Sequence, residues 1–544
     1  MNIRHICYIS ALLLTLNSCG GGGNDGSGDN EPSPTYSLTL TFERINSGPL
    51  NPFTVTASLL SNDQNVTSAA IDFSLTLSQG SASDITESSP GNYQFTVTPN
   101  QTGEHQVTVS YLDKASVTRT ALVIDTVHSD WGQPMAVEGL VNTEGYEDGI
   151  TITPDGEYLF VQYGPMYFSA LQLFNTPRAQ GGCEGHRLEF PLGTPNRCTH
   201  TWLDNTIGPY SGPERPGFFD GRFSETTNLH NARSWGVLVE QAPNFAPSTL
   251  LYGFKRQADN SFAEPFYIAF DDENDAIINT SGLSFLMHDD GTATILFSID
   301  DPSDSDMVDL DNNSSDDIQS FHDIFTDTIT LGQNNILGTF TATGTPGTPP
   351  ERGTPFSAQL VNFGKTGTEG IAGTQGNPHL HAIEGSVQSI WTDDERDTDA
   401  DKGELAVYFL TSGNFPDGNW QKVLLPSAVN QAAPSDEIQP FFTGNGLYYT
   451  HMSDIELPEV YYSNYSGTHS INDIQNNNNW GSREKILGIG STNTIGSITA
   501  LGEPTIATIN NEEYLYFVYG YVRDFDNDSG LPDINMQAGY VKKN

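Results

Sequence analysis

Residues 436–453 read Asp436-Glu-Ile-Gln-Pro-Phe-Phe-Thr-Gly-Asn-Gly-Leu-Tyr-Tyr-Thr-His-Met-Ser453. Two runs rich in aromatic and β-branched residues flank the tight-turn sequence Gly444-Asn445-Gly446, and this pattern predicts a β-hairpin. Two further runs, 458–466 and 480–487, have the same composition and predict a third and a fourth strand.

The hairpin pattern recurs four more times along the chain. Clear copies lie at 147–163, around Pro154-Asp155-Gly156, and at 503–519. Weaker copies begin at 281–287, with a turn at 289–291, and at 377–383, with a turn at 384–385. Four antiparallel strands repeated along a chain are the unit of a β-propeller. We therefore predict an all-β chain with a β-propeller over 131–544. Five blades are preferred, and six stay open because 232–275 has room for a degenerate copy.

The copies at 154–156 and 503–506 resemble the short propeller repeats of the Tol-system periplasmic protein and its relatives. The resemblance implies a fold rather than an activity.

The chain ends on Ala538-Gly-Tyr-Val-Lys-Lys-Asn544, which predicts a third strand without a fourth. Trp131-Gly-Gln-Pro-Met-Ala-Val137 precedes the first hairpin and begins with Trp, as the fourth-strand segments at 420 and 480 do. We expect it to supply the missing strand, so that both ends of the ring meet in one blade and no edge stays open.

The formal net charge is −46. A chain this acidic is repelled by a phosphate backbone, which argues against nucleic acid as a partner. Hydrated carboxylates of this density are typical of proteins that remain soluble in salt.

Residues 1–18 have the pattern of a signal peptide, with Arg4 in the charged region and an apolar run over 6–16. Leu16-Asn17-Ser18-Cys19 resembles a bacterial lipoprotein signal. The resemblance implies lipid on Cys19, an outer-membrane or cell-surface location, and contact with the membrane through that lipid only. An ordinary secretory signal is the alternative. Residues 19–34 are rich in Gly, Asp, Asn and Ser and predict a flexible tether.

Residues 35–126 contain six strand candidates separated by short turns, at 37–42, 53–59, 71–75, 93–98, 105–111 and 117–124. Their number and spacing predict an immunoglobulin-like sandwich. The segment 91–109 resembles bacterial immunoglobulin-like repeats. A spacer between lipid and propeller is the plainer interpretation, and an adhesive domain is the other.

Three connections between second and third strands are rich in Asp. Oxygen side chains at alternate positions followed by Gly can surround a hard cation, as in an EF-hand loop, which predicts structural Ca²⁺. A solvated acidic loop is the alternative. The candidate ligands are Asp397, Asp399, Asp401, Asp524, Asp526, Asp528, Asp309 and Asp311.

The first blade has a long insert, 164–233, between its second and third strands. Its six Arg and six Asp or Glu residues balance, in contrast to the acidity of the whole chain. Cys183 and Cys198 predict a disulfide in an exported protein. Arg and aromatic side chains suit an anionic or sugar ligand, although a self-paired loop explains them equally well. The candidate ligand-binding residues are Arg187, Arg197, His200, Trp202 and Arg215.

The first strand of each blade starts at the mouth of the central channel and carries polar residues there. Glu147, His379 and Gln439 are candidates for ligand binding, and Asp148, Glu437 and Glu503 for acid–base catalysis on a glycosidic bond. Five-bladed glycoside hydrolases place carboxylates similarly, and the resemblance is in blade number and placement alone. The alternative is that these residues merely line a water-filled channel.

These features predict an exported, lipid-anchored surface protein whose propeller binds an extracellular ligand, a glycan or a protein. A polysaccharide hydrolase or lyase acting on the same face is one alternative. The lyase would use a His or Tyr base from the insert and Arg to neutralise a uronate. A Tol-like envelope scaffold that binds protein partners is the other.

Overall fold

The computed structural model describes residues 34–46, 48–142, 146–164, 250–272, 280–300, 322–341, 351–361, 375–396, 399–432, 435–453, 456–490, 494–525 and 532–544. The regular secondary structure of these residues is almost entirely β-strand. Across these ranges, no helix has the length and apolar character that crossing a membrane requires.

The N-terminal part contains nine strands and one 3₁₀ turn, Ala70–Asp72. In one sheet β2 lies between β1 and β7, with β3, β5 and β6 at the edges; β8 lies between β4 and β9 in the other sheet. The strands are β1 (Tyr36–Arg44), β2 (Phe53–Ser61), β3 (Gln64–Asn65), β4 (Phe73–Leu77), β5 (Ser81–Ala82), β6 (Thr86–Ser89), β7 (Asn92–Thr98), β8 (Gly103–Tyr111) and β9 (Ala115–Val123).

Alternation of buried and exposed residues places one face of each N-terminal sheet against a shared core. In β2 the buried residues are Phe53, Val55, Ala57 and Leu59, which have the period of two that a strand requires. The core also contains Val107 and Val109 of β8. Each of the six strand candidates predicted from the sequence of this part overlaps a strand, although the candidate at 71–75 begins two residues early, within the 3₁₀ turn.

Twenty of the remaining twenty-three described strands form five antiparallel sets of four. Each predicted hairpin is present as the first two strands of a set. Two short strands precede the sets, β10 (Thr126–Val127) and β11 (Met135–Ala136). The first set is β12 (Tyr146–Ile152), β13 (Tyr158–Gly164), β14 (Leu250–Arg256) and β15 (Phe262–Asp272). The second is β16 (Thr280–Met287), β17 (Thr292–Asp300), β18 (His322–Thr330) and, after β19 (Asn335–Thr341) and β20 (Glu351–Phe356), β21 (Gln359–Leu360).

The third set is β22 (Gln375–Ile383), β23 (Ser386–Arg396), β24 (Asp399–Ser412) and β25 (Asn419–Leu424). The fourth is β26 (Ser435–Phe442), β27 (Gly446–Ser453), β28 (Glu459–Asn464) and β29 (Glu484–Gly488); a short helix α1 (Ile471–Ile474) and a 3₁₀ turn (Asn477–Asn479) precede β29. The fifth is β30 (Ile498–Ile509), β31 (Glu512–Phe525), β32 (Pro532–Lys542) and β11. β19 pairs with β15 and β20, which extends the first set outward.

The first strands of the five sets form a closed ring. β12 contacts β16, β16 contacts β22, β22 contacts β26, β26 contacts β30, and β30 contacts β12. The segment 250–272, which the sequence left open as part of a sixth blade, supplies the third and fourth strands of the first set.

The fifth set is closed by a segment from the other end of the chain. Met135 pairs with Tyr540 and Ala136 with Gly539, so β11 is the outer neighbour of β32. Trp131 forms a further bridge to Lys543 and is only 1% exposed. The segment predicted to supply the missing strand does so.

The N-terminal sandwich is continuous with this fifth set. Met135 of β11 pairs with Ala121 of β9 as well as with β32, so one sheet runs from the sandwich into the ring. The Arg44 guanidinium donates hydrogen bonds to the carbonyls of Val127 and Trp131 at 2.7 and 3.0 Å, which fixes the intervening segment. The sequence divided the chain at 126–131, but in the structure these residues join the two parts.

A second contact between the two parts involves Glu104 of β8. Tyr519 of β31 donates a hydrogen bond to the Glu104 carboxylate at 2.6 Å. Burial raises the pKa of Glu104, and it also raises the pKa of Tyr519. The neighbouring Gly103 lies so close to Gly496 that a Cβ on Gly103 would overlap the Gly496 carbonyl oxygen.

We expect Gly103→Ala to destabilise the protein because the new methyl group would force the two parts away from each other. Gly103 has φ +121° and Gly385, in an exposed turn, has φ +76° with no atom near its missing Cβ. Gly385→Ala is therefore a control that carries only the cost of the left-handed backbone, about 1–2 kcal/mol. Urea unfolding should show a larger loss for Gly103→Ala than for Gly385→Ala. Equal losses of unfolding free energy in the two variants would show that the backbone around Gly496 moves to accommodate the methyl group without further cost.

Candidate functional site

The centre of the ring is surrounded by one repeated backbone feature. Each first strand has a register shift against its second strand, and the residue at the shift has a left-handed backbone with φ between 39° and 57°. These five residues, here called the collar, are Gly149, Gly282, Asn377, Gln439 and Glu503.

Close approach explains glycine at two collar positions. A Cβ on Gly149 would overlap the side chain of Gln162, and one on Gly282 would lie 2.6 Å from the Asn377 Cα. Asn377, Gln439 and Glu503 take the same conformation although it is unfavourable for residues with a Cβ. Such strain persists only where the surrounding structure compensates for it.

Side-chain hydrogen bonds compensate for the backbone strain at the collar residues of the third, fourth and fifth sets. Asp393 Oδ2 accepts hydrogen bonds from Asn377 Nδ2 at 2.8 Å and from the Gln439 amide at 2.9 Å. Gln439 Oε1 accepts from Thr450 Oγ1 at 2.6 Å and from the Glu503 amide at 3.0 Å. The strained backbone amides of Gln439 and Glu503 are therefore satisfied by neighbouring sets.

Glu503 continues the connection to the first set. Its Oε1 accepts from Gln439 Nε2, and its Oε2 accepts from the Ile150 amide, both at 3.0 Å. Hydrogen bonds to a carboxylate stabilise by about 1.5–3 kcal/mol each.

Two further hydrogen bonds complete a circuit around the axis, here called the hydrogen-bond circuit, which links the first strands of all five sets. Thr151 Oγ1 donates to the Leu283 carbonyl at 2.7 Å, between the first and second sets. The Leu380 amide donates to Ser284 Oγ at 2.8 Å, between the second and third sets. Hydrogen bonds therefore link every pair of neighbouring sets around the axis. Asp393, Thr450 and Ser284 are not recognisable from the sequence, because single polar residues within a strand carry no distinguishing pattern.

The space enclosed by the collar is small. Its volume is about 40 Å³, which suits an ordered water molecule but excludes a sugar ring. A ligand on this axis must therefore lie above the collar, at the starts of the first strands. Glu147 lies there, in β12, and is fully buried.

Glu437, predicted as a catalytic carboxylate, lies in a buried charged cluster. It is 0% exposed; its Oε1 is 3.0 Å from His451 Nδ1 and 3.8 Å from Arg483 Nη1, and its Oε2 accepts from the Gln431 amide. His451 Nε2 lies 3.1 Å from Glu456 Oε2, so carboxylates face both ring nitrogens. This arrangement gives both carboxylate oxygens of Glu437 partners within the protein, so Glu437 belongs to a structural cluster.

His379 lines the collar as a neutral imidazole. Its ring lies 4.2 Å from that of Phe441, and Nε2 donates to the Phe442 carbonyl at 3.0 Å. Burial lowers the pKa of His379 to about 3, and burial also lowers the pKa of His469 to about 4.

The other predicted site residues divide into two groups. Asp148, Asp399, Asp401 and Asp524 have described backbones within strands, and their side chains lie outside the described part. β24 already begins at Asp399, so 399–403 is strand where the sequence predicted a calcium loop. The following lie wholly outside the described residues: Cys19, Cys183, Arg187, Arg197, Cys198, His200, Trp202, Arg215, Asp309, Asp311, Asp397, Asp526 and Asp528. Among the side chains that are described, no group of three or more His, Cys, Asp or Glu is placed to hold a metal ion.

Comparison with known proteins identifies no family. No family model matches the chain, and no curated protein matches it. Among solved structures, a family 117 glycoside hydrolase from the marine bacterium Zobellia galactanivorans is similar at TM-score 0.34 and 8% identity over 75% of this chain and 89% of that one. An α-L-arabinofuranosidase from Lactobacillus brevis is similar at 0.32 and 8%, over 53% and 82%. An α-L-arabinanase from Cellvibrio cellulosa is similar at 0.27 and 11%, over 53% and 88%. Similarity at this level does not establish a function.

Replacing the Glu503 carboxylate should destabilise the ring. In Glu503→Gln one oxygen becomes an NH₂ group, so either Ile150 N–H or Gln439 Nε2 loses its acceptor. An unsatisfied buried donor costs about 1–3 kcal/mol. Urea unfolding should show a loss in that range, and Glu384→Gln, at an exposed turn, should show none. Unchanged stability in Glu503→Gln would contradict the connecting role.

Acid should destabilise the protein through its neutral histidines. The pKa of His379 is about 3 in the folded state and about 6.5 in the unfolded chain, so the unfolded state binds more protons between these values. The free energy of unfolding therefore falls as pH decreases below about 6.5. His379→Gln keeps a donor for the Phe442 carbonyl and should flatten the dependence between pH 6.5 and 4.5. The exposed His288→Gln should leave the slope unchanged, and equal slopes in both variants would refute the assignment.

Proposed function

We propose that this chain is an exported, lipid-anchored surface protein that binds an extracellular glycan at the mouth of its central channel. In this proposal, an immunoglobulin-like sandwich and a five-bladed propeller form the exported part, and Cys19 carries the lipid. The observation that carries the proposal is the hydrogen-bond circuit, which fixes the starts of the first strands around one axis. Fixed polar groups bind a polyhydroxyl ligand without first losing conformational entropy.

The carboxylates of Glu503 and Glu437 already have partners within the protein, and this favours ligand binding over hydrolysis as the function. Both oxygens of Glu503 and both oxygens of Glu437 accept hydrogen bonds or face a cation within the protein. Glycosidic hydrolysis instead needs one carboxyl group that donates a proton and a second that faces the sugar. Those two residues therefore act in the proposal as connectors rather than as acid and base.

A second candidate function, a polysaccharide hydrolase or lyase, is supported by a different pair. Glu147 and Asp148 are adjacent carboxylates at the start of β12, and Glu147 is fully buried. Burial disfavours an ionised carboxylate, which is the property a general acid needs. Under either function, Arg197, His200 and Trp202 of the insert would contact the ligand, and Ca²⁺ at the Asp-rich connections would brace the mouth. A scaffold for protein partners is a third candidate.

A glycan panel separates these functions. The purified chain is incubated with neutral, uronic and sulfated polysaccharides, with Ca²⁺ or with chelator, and affinity gels record binding. We expect retardation on a polysaccharide without new reducing ends, and loss of retardation in Trp202→Ala and Arg197→Ala.

Reducing ends and unsaturated uronates are followed in the same incubations. New reducing ends without unsaturated uronates would establish a hydrolase, and the two signals together would establish a lyase. In either case Asp148→Asn should abolish the activity. If no polysaccharide is retained on the gels and no products form, glycan recognition at the channel mouth would be refuted and a protein partner would be favoured.

A further inference from the structure

A cleft between the sandwich and the fifth set has the size of a ligand site. Its volume is about 760 Å³, within the range of about 300–1,000 Å³ that small-molecule sites occupy. One wall is β1, over residues 40–44; the opposite wall is formed by the β30–β31 turn with β31 and the end of β32. The closed fifth set therefore creates a surface that neither part has alone.

Three tyrosines form the propeller wall of this interdomain cleft. The Tyr540 ring lies 5.8 Å from that of Tyr516 and 6.3 Å from that of Tyr514, and Phe42 of β1 lines the opposite wall. Tyr514, Tyr540 and Phe42 are partly exposed. Aromatic rings present flat apolar faces together with a polar edge, a combination that suits the alternating CH and OH groups of a sugar.

Two of the tyrosine hydroxyls have no partner within the described residues. Tyr516 is 4% exposed and lines the cleft, but no hydrogen bond is made by its hydroxyl within that part of the chain. The same holds for the Tyr540 hydroxyl. Neither hydroxyl oxygen is among the buried polar atoms that lack a partner, so both are open to solvent in the cleft and are available to a ligand.

The basic groups of the cleft are already paired. Lys542 Nζ lies 2.6 Å from Glu512 Oε1, and Lys543 Nζ lies 2.7 Å from Glu513 Oε1. Arg44 is occupied by backbone carbonyls, and Arg119 Nη1 lies 2.5 Å from Glu138 Oε2. A negatively charged ligand would have to displace one of these pairs.

We propose that the interdomain cleft binds a segment of a neutral polysaccharide through its tyrosine wall. Sugar rings lie against Tyr514 and Tyr540, and sugar hydroxyls bond the hydroxyls of Tyr516 and Tyr540. The site is separate from the channel mouth and shares only the class of ligand with the proposed function. Two sites on one chain raise the effective affinity for a polymer that reaches both.

The test measures binding of neutral hexaoses by isothermal titration. Cellohexaose, xylohexaose, mannohexaose and laminarihexaose are the neutral probes, and hexagalacturonate is the charged one. We expect at least one neutral hexaose to bind the unaltered protein. The same hexaose should bind the Tyr514→Ala variant about tenfold more weakly. Tyr516→Phe and Tyr540→Phe keep the ring and lose the hydroxyl, and should weaken binding by about three- to tenfold. Thermal unfolding verifies that each variant is folded.

Matched variants locate the site. Tyr462→Ala and Tyr462→Phe change a partly buried tyrosine of the fourth set that does not line the cleft, and should bind as the unaltered protein does. Failure of every neutral hexaose to bind, or binding of hexagalacturonate alone, would overturn the proposal. Binding that survives in all three cleft variants but is lost in Trp202→Ala would also overturn it, while leaving the channel-mouth function supported.

Discussion

The structure depends on the circuit of hydrogen bonds that links the five inner strands. Each first strand must turn its backbone through a left-handed residue, and three of these residues have side chains. The circuit satisfies the amides of two of them, at Gln439 and Glu503, from a neighbouring set. Without those acceptors, buried amide groups would face one another across a space that holds little more than one water molecule. The ring is therefore closed by polar chemistry on its axis and by apolar packing between its sheets.

The second constraint is that the last set is assembled from both ends of the folded chain. β11 provides its outer strand, and the same short strand is an edge of the sandwich sheet. Trp131 packs with Leu122 of the sandwich and Val541 of β32 in one apolar cluster. The sandwich is thus held against the ring through strand pairing, a shared core and the Glu104–Tyr519 bond. These contacts form the floor and sides of the joint beside which the interdomain cleft lies.

Function follows from where free polar groups remain. On the axis, the collar uses its side chains to hold itself together, and the enclosed space is too small for a sugar. Within the described residues, polar groups that could meet a ligand lie above the collar and in the interdomain cleft, where the hydroxyls of Tyr516 and Tyr540 have no partner in that part of the chain. The acidic surface as a whole does not select a ligand, because its charges are spread over a large area and are screened by salt.

The sequence by itself determined the strands and their order. Hairpins such as 436–453 are local: a turn residue fixes the geometry, and alternation of side chains marks the buried face, so neither needs the rest of the chain. It also determined that 131–137 completes the last set, because an unpaired third strand at 538–544 left one place to fill. Glu503 and Glu437 look equally suited to catalysis in the sequence, since the residue type does not indicate which groups a carboxylate contacts in the folded protein. Only the tertiary structure decided that they connect strands, because Ile150, Gln439, His451 and Gln431 reach them across strands or loops that fold together. The interdomain cleft is the same kind of feature: its walls, at 40–44 and 509–544, are separated by more than 460 residues, and local patterns do not encode the distance between them.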